Sequence, residues 1–88
     1  MKRPSASFTF IIRAKLKNEV GILGKVFSAI GEAGGDVGAV DIVEIAKGHI
    51  LRDITVRARD DMHCSDIIKK LKTLDFLEIV NLSDRTFL

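Results

Sequence analysis

The 88-residue chain contains one cysteine, one proline, no tryptophan and no tyrosine. Because Cys64 has no second cysteine to pair with, an intramolecular disulfide is excluded, and a single thiol suits a reducing compartment. No apolar run approaches the roughly 20 residues of a membrane span. The start, Met1-Lys2-Arg3-Pro4, is not followed by an uninterrupted apolar segment and cleavage site. These absences predict a cytoplasmic protein with neither a signal peptide nor a transmembrane helix.

The chain also has little excess charge of either sign. Fourteen basic residues face twelve acidic ones, for a net charge of +2, and the two signs are interleaved rather than grouped. Binding to nucleic acid or to an anionic membrane requires a clustered basic surface. We therefore expect neither a nucleic acid nor a membrane among the partners.

Motifs for catalysis and metal binding are missing as well. Gly24-Lys25 is followed by Val26, so the phosphate-binding loop G-x-x-x-x-G-K-[ST] is absent. His63 and Cys64 are adjacent, which is poor spacing for two ligands of one metal, and no second cluster supports them. We expect no catalytic residue, no metal site, no cofactor and no enzymatic activity in this chain.

What is present is a strong pattern of regular elements. Apolar residues make up 47% of the chain, which is typical of a folded globular domain. Strict alternation predicts a first strand at 7–16, and apolar residues at three- and four-residue spacing from Ile22 predict a helix. The remaining predicted elements are a strand at 36–46, a turn at Lys47-Gly48, a strand at 49–59, a helix at 62–74 capped by Asp60-Asp61, and a strand at 76–83.

This β-α-β-β-α-β order predicts an α+β, ferredoxin-like sandwich. Its four-stranded antiparallel sheet carries both helices on one face, with the first and third strands central. We expect one domain over residues 1–88, with a flexible start at 1–6 and a truncated linker to a following domain at 84–88. Arg52 interrupts the apolar face of the third strand. Either it lies beyond the part of the sheet that the helices cover, or a bulge shifts the register.

The glycines around the first helix have different predicted roles. Gly34-Gly35 ends the helix, since one glycine suits the left-handed position after a helix C-terminus, and Gly31 is expected to allow close packing on the sheet. Gly21 and Gly24 flank the helix start, where backbone N–H groups lack partners and can receive a carboxylate. The alternative is that Gly21 only forms a turn and Gly24 only packs.

The segment NEVGILGKVFSAIGEAGGDVGAVDI resembles the signature of ACT domains, which has the form D-R-P-G-hydrophobic-L, then a helix, then G-hydrophobic-N-I. Gly21, Leu23 and Gly35-Asp36-Val37 fall on this pattern, whereas Val20 replaces a proline and Asp36 an asparagine.

The resemblance implies a small-molecule sensor attached to an enzyme of amino-acid metabolism. It implies that a carboxylate-bearing metabolite, such as an amino acid, binds between this loop and the second strand of a neighbouring domain. An aspartate at position 36 would attract an ammonium group or repel a dicarboxylate. The implied binding residues are Asn18, Glu19, Val20, Gly21, Ile22, Leu23, Gly24, Asp36 and Val37.

A second resemblance concerns AIGEAGGDVGAVDIVE, KGHILRDITV and VNLSDRTFL. Together these segments are similar to the region that precedes the catalytic part of bacterial NAD-dependent malic enzymes. The resemblance implies a regulatory fragment whose C-terminal catalytic domain would follow Leu88.

The edge of the predicted sheet indicates self-association. If Val37 faces the core, alternation places Val40 and Ile42 on the uncovered face, where Ile11 and Leu51 extend an apolar patch. We expect a homodimer or higher oligomer through this edge and the loop; the alternative is that these are isolated surface residues. Two functions follow: a regulatory binding module that pairs, or a ligand-free structural dimerisation module.

Overall fold

Alternating apolar residues and helical apolar stripes produce six regular elements in the computed structural model, which describes residues 5–84. They are β1 (Ser5–Lys17), α1 (Ile22–Glu32), β2 (Asp36–Ala46), β3 (His49–Ala58), α2 (Asp61–Lys72) and β4 (Leu77–Asp84). Every predicted element is present, with ends that differ by two residues at most from those expected. The predicted flexible start and C-terminal linker fall largely on residues 1–4 and 85–88, which lie outside the described part of the chain.

The helix ends follow from their local sequence. The C-terminal end of α1 is closed by Gly34, which has a φ of +82° and donates its N–H to the carbonyl of Gly31 at 2.9 Å. At the start of α2 the Asp60 carboxylate accepts the N–H of His63 at 2.9 Å. Both the glycine stop and the aspartate cap were expected, and both are confirmed.

The sheet has the order β2-β3-β1-β4, with every neighbouring pair antiparallel. Buried residues of β1 and β3 lie on the face that packs against the buried stripes of α1 and α2. The predicted ferredoxin-like fold, with its two central and two edge strands, is confirmed. The buried core comprises Phe10, Ile12, Ala14, Leu16, Ile22, Val26, Ala29, Ile30, Ile54, Val56, Ala58, Ile67, Leu71 and Leu77.

Strand β2 departs from strict alternation, and the predicted faces of two residues are wrong. Its register with β3 shifts between Val37 and Val40 and again between Ile42 and Glu44. One extra residue at the first bulge exchanges the two faces of the strand beyond it. Val40 therefore pairs with the core residue Ile54 and packs against the core, and Ile42 pairs with Arg52 on the helix side. Neither residue lies on the open face.

The position of Arg52 is settled by the same register. β3 runs beside β1 without a shift from Arg57 to His49, so no bulge turns Arg52 away from the helix side. Arg52 lies opposite the buried Ala14 and borders the start of α1 together with Ile22. A bulge in β3 is thus excluded, and Arg52 stays on the helix side as a half-buried residue beside the start of α1.

No helix among residues 5–84 combines the length and the apolar character needed to cross a membrane.

Candidate functional site

A small cleft of about 50 Å³ opens where β1 ends and α1 begins. It lies on the helix side of the sheet, and both the connecting loop and β3 contribute to its walls. Its lining residues are Leu16, Lys17, Asn18, Glu19, Ile22, Leu23, Ile50 and Arg52. Four of the predicted binding residues, Asn18, Glu19, Ile22 and Leu23, are therefore brought together here.

The loop before α1 is held from both sides by backbone hydrogen bonds. The N–H of Lys17 donates to the Phe76 carbonyl at 3.1 Å, and the N–H of Asn18 donates to the Gly48 carbonyl at 3.0 Å. Gly21, with φ +86°, then turns the chain into the helix. Because a side chain with a Cβ rarely adopts this conformation, glycine is needed at position 21 for the turn itself.

The N-terminus of α1 has no cap from the described part of the chain. No side chain of residues 5–84 hydrogen-bonds to it, and no acidic residue lies in its first turn. The N–H of Ile22 donates to the Glu19 carbonyl at 3.3 Å and the N–H of Lys25 to the Gly21 carbonyl at 3.1 Å, which leaves the N–H groups of Leu23 and Gly24 without an acceptor among residues 5–84. Such a terminus favours an anion, and a carboxylate is the anion that matches two adjacent N–H donors.

Gly24, in the first turn of α1, does not line the cleft itself. Together with Gly21 it borders a wide groove between α1 and α2, which Lys25, Ser28 and Phe76 also line. A Cβ at Gly24 or at Gly31 would meet no atom within 4 Å in the described part of the chain. The expected packing role of Gly31 is therefore wrong, and packing does not explain Gly24 either.

Asp36 and Val37 are not close to the loop within one chain. They begin β2, beyond the C-terminal end of α1, and the eleven residues of that helix span roughly 16 Å. The Asp36 carboxylate accepts a hydrogen bond from Arg57 Nη2 at 2.6 Å, and Val37 packs against the core. Of the nine predicted binding residues, these two stand apart from the others.

Arg52 was not among the predicted binding residues, although it is one of the two cations that line the cleft, the other being Lys17. The half-buried side chain of Arg52 has no ion pair or hydrogen bond with any residue of the described chain. By contrast, Arg13 and Arg57 on the opposite face each bind a carboxylate. The available signal was the one charged residue on an otherwise apolar face of a central strand.

The open face of the sheet is polar. Arg13 donates from Nε and Nη2 to the two carboxylate oxygens of Asp53, at 2.9 and 3.0 Å. These hydrogen bonds, with the positive charge of the guanidinium, lower the pKa of Asp53 below its usual value. The ion pair separates Ile11, which lies opposite Thr55, from Leu51, so these two do not form a continuous apolar patch.

Three exposed apolar residues lie at the rim of the cleft. Ile42 is 55% exposed and Ile45 is 67% exposed, both on the helix side of the edge strand β2, and Val20 in the loop is fully exposed. Ile42 and Ile45 pair with Arg52 and Ile50, which line the cleft. The apolar rim, defined by Val20, Ile42 and Ile45, is thus next to the site and not on the face predicted for the interface.

No group of three or more histidine, cysteine, aspartate or glutamate side chains within the described range is placed to hold a metal ion.

Comparison with known proteins gives three matches. A family model described as ACT domain matches residues 4–80. The NAD-dependent malic enzyme of Geobacillus stearothermophilus is 41% identical over 83 residues, which cover 94% of this chain and 17% of that enzyme. NAD-dependent malic enzyme 1 of Bacillus subtilis (strain 168) is 35% identical over 54 residues, which cover 61% of this chain and 12% of that enzyme. Both resemblances drawn from the sequence are confirmed, and the chain spans less than a fifth of the length of either relative.

Proposed function

Because the chain belongs to the ACT domain family of regulatory ligand-binding modules, we propose that it senses a small carboxylate-bearing metabolite, such as an amino acid. The observation that carries this proposal is the uncapped N-terminus of α1 beside the cleft, in the segment that the family match covers. The ligand carboxylate accepts hydrogen bonds from the first-turn N–H groups, next to Gly21 and Gly24. Glycine at position 24 leaves open space around the backbone there, which lets a ligand approach closely.

The ligand site is completed by a second copy of the chain in this proposal. A cleft of about 50 Å³ is too small to enclose an amino acid, and pockets that bury small ligands are typically several times larger. The apolar rim borders the cleft, and β2 has an unpaired edge. Pairing through this rim and edge buries Ile42 and Ile45 and deepens the cleft.

In this proposal the chain regulates an attached metabolic enzyme. The names of the relatives support a malic enzyme in that place. A ligand that binds between two copies stabilises the paired arrangement over the separated one. The ligand can shift the equilibrium between two states of an attached enzyme only by as much free energy as the paired and separated arrangements differ in their affinity for it. The regulatory chain itself carries out no chemistry, and turnover by the isolated chain would contradict this assignment.

The test combines ligand screening with two matched glycine variants. Thermal unfolding and calorimetry of the 88-residue chain are measured against amino acids and dicarboxylates at millimolar concentration. Gly24→Ala adds a methyl group near the proposed carboxylate, and Gly31→Ala adds the same group two turns away in equally open space. The proposal expects stabilisation by at least one ligand, lost in Gly24→Ala and kept in Gly31→Ala. No stabilisation by any candidate would contradict it.

A ligand-free dimerisation module is the second candidate, and the apolar rim favours it because pairing alone would bury these residues. Sedimentation of the same variants separates the two functions. Under the sensing function, Gly24→Ala assembles normally and loses its ligand response. Under the structural function, the wild-type chain dimerises without any ligand response.

A further inference from the structure

We infer that Arg52 determines the specificity of the proposed ligand site, by selecting ligands that carry a second carboxylate over their neutral amide analogues. The inference rests on the proposed function, and it adds a residue and a ligand class to it. Arg52 is the one arginine of β3 on the helix side of the sheet, where its strand neighbours are Ala14 and Ile42. Polar partners of its own chain do not explain a guanidinium at this position.

The unsatisfied state of Arg52 is the main observation. None of its guanidinium nitrogens is buried away from solvent, because the one buried side-chain nitrogen or oxygen without a hydrogen-bond partner among the described residues is Nε of Arg57. Arg52 is half-buried and makes no ion pair or hydrogen bond with residues 5–84. Glu19 lines the same cleft but forms no ion pair with Arg52. The five N–H donors of Arg52 are therefore available to a group that enters from solvent.

The chemistry of the guanidinium defines the group that it selects. Its planar arrangement of donors matches the two oxygens of a carboxylate, and such charge-assisted pairs are about twice as strong as neutral hydrogen bonds. An amide of the same shape offers one oxygen and places an N–H₂ group against the remaining donors. Arg52 therefore separates aspartate from asparagine, and glutamate from glutamine, by charge and by donor pattern.

The aspartate at position 36 does not oppose an acidic ligand in this arrangement. Its carboxylate is paired with Arg57 at 2.6 Å, so its negative charge is already compensated. Asp36 also follows the C-terminal end of α1, whereas the cleft is at the N-terminal end of that helix. Asp36 was expected either to attract an ammonium group or to repel a dicarboxylate. Its pairing with Arg57 weakens the repulsion, and Arg52 attracts a carboxylate next to the site.

The experiment measures binding of L-aspartate, L-asparagine, L-glutamate and L-glutamine to the 88-residue chain by calorimetry. Wild type is expected to bind each acid about tenfold or more tightly than its amide, as expected for a charge-assisted hydrogen bond. Arg52→Gln is expected to bring that ratio close to one. Lys15→Gln makes the same change in net charge on the opposite face and is expected to keep the wild-type ratio.

A second variant distinguishes ligand recognition from a structural role. Arg52→Leu is expected to keep or raise the Tm of the ligand-free chain, because leucine suits the neighbouring Ala14 and Ile42 and the change removes no ion pair or hydrogen bond among residues 5–84. A fall in Tm would show that Arg52 is there for stability, and would overturn the inference. The inference would also be overturned if wild type bound each acid and its amide with nearly equal affinity. It would be overturned too if Arg52→Gln kept the wild-type affinity ratio, or if Lys15→Gln lost it. Binding of none of the four ligands to wild type would also overturn the inference, whereas the proposed function is contradicted only if no ligand of the wider screen stabilises the chain.

Discussion

The imidazole of His63 on α2 lies with its Nε2 2.6 Å from the carbonyl oxygen of Ala33, at the C-terminal end of α1. Its other ring nitrogen, Nδ1, accepts the backbone N–H of Arg59 at 3.0 Å, so Nε2 is the nitrogen that donates to Ala33. The side chain is 2% exposed. One residue thus joins the end of the first helix to the start of the second, and satisfies two backbone groups that would otherwise be buried without partners.

His63→Ala is expected to lower the free energy of unfolding by about 2–4 kcal/mol, since it removes two buried hydrogen bonds and leaves a cavity. Urea denaturation followed by circular dichroism measures the change. His49→Ala is the control: this histidine is at the β2–β3 turn and makes no side-chain hydrogen bond with the described residues, so a change below about 0.5 kcal/mol is expected. Equal losses for the two variants would contradict the linking role of His63.

Three glycine-to-alanine variants are expected to change the free energy of unfolding in different directions. A Cβ at Gly35 would lie 2.8 Å from Ile67 Cδ1 and 2.9 Å from Ile30 Cγ2, whereas one at Gly31 or Gly24 meets nothing within 4 Å. Gly35→Ala is expected to destabilise the fold by about 1–3 kcal/mol through overpacking. Gly31→Ala and Gly24→Ala are expected to be neutral or to stabilise by up to about 1 kcal/mol through helix propensity. Chemical denaturation of the three variants side by side tests this order.

Stability is expected to fall in acid partly because of Asp53. Arg13 lowers the folded-state pKa of this carboxyl below its unfolded value, which is about 3.9. The unfolded chain therefore binds the proton more readily, and the contribution of the pair is present above that pKa and is lost as the pH falls through the lower, folded one. A Tm series from pH 7 to pH 2 measures the loss.

The matched variant for this prediction is Asp53→Asn. It is expected to be less stable than wild type near neutral pH and to have a shallower Tm decline below about pH 4, where the wild-type carboxyl is titrated. Asp66→Asn, an exposed residue of α2, is expected to reproduce the wild-type curve. Parallel curves for Asp53→Asn and wild type would show that the Arg13–Asp53 pair does not contribute to acid stability.

Association through the apolar rim is expected to be sensitive to charge. Ile45→Glu places a carboxylate on the exposed edge of β2 and is expected to raise the dimer dissociation constant about tenfold or more, because dimerisation would bury that charge. Analytical ultracentrifugation gives the constant. Val80→Glu changes a residue that is 52% exposed on the opposite edge strand, β4, and is expected to leave association unchanged. If Val80→Glu weakened association and Ile45→Glu did not, the interface would lie on β4.

Much of the fold was predictable because it depends on local patterns. The alternation from Phe8 to Leu16 and the helical stripe from Ile22 to Ile30 admit one regular conformation each, and Gly34 and Asp60 mark where helices end and begin. The loop that carries most of the candidate site could be located in the same way, from glycine at a helix start and from the family signature. Its ligand, its pairing and the attached enzyme remain predictions.

The tertiary structure alone decided which residues share a face and which partners they have. The first bulge in β2, between Val37 and Val40, turns Val40 and Ile42 to the helix side, and no sequence pattern predicts it because β-branched residues occupy both faces of that strand. His63 resembles an ordinary residue of a first helical turn until α1 places the Ala33 carbonyl against its ring. Arg52 likewise becomes a candidate for ligand recognition only when the strand register places it in the cleft, where no residue of the described range pairs with it. Local periodicity determines elements, but pairing over long sequence distances determines burial, charge compensation and therefore the site.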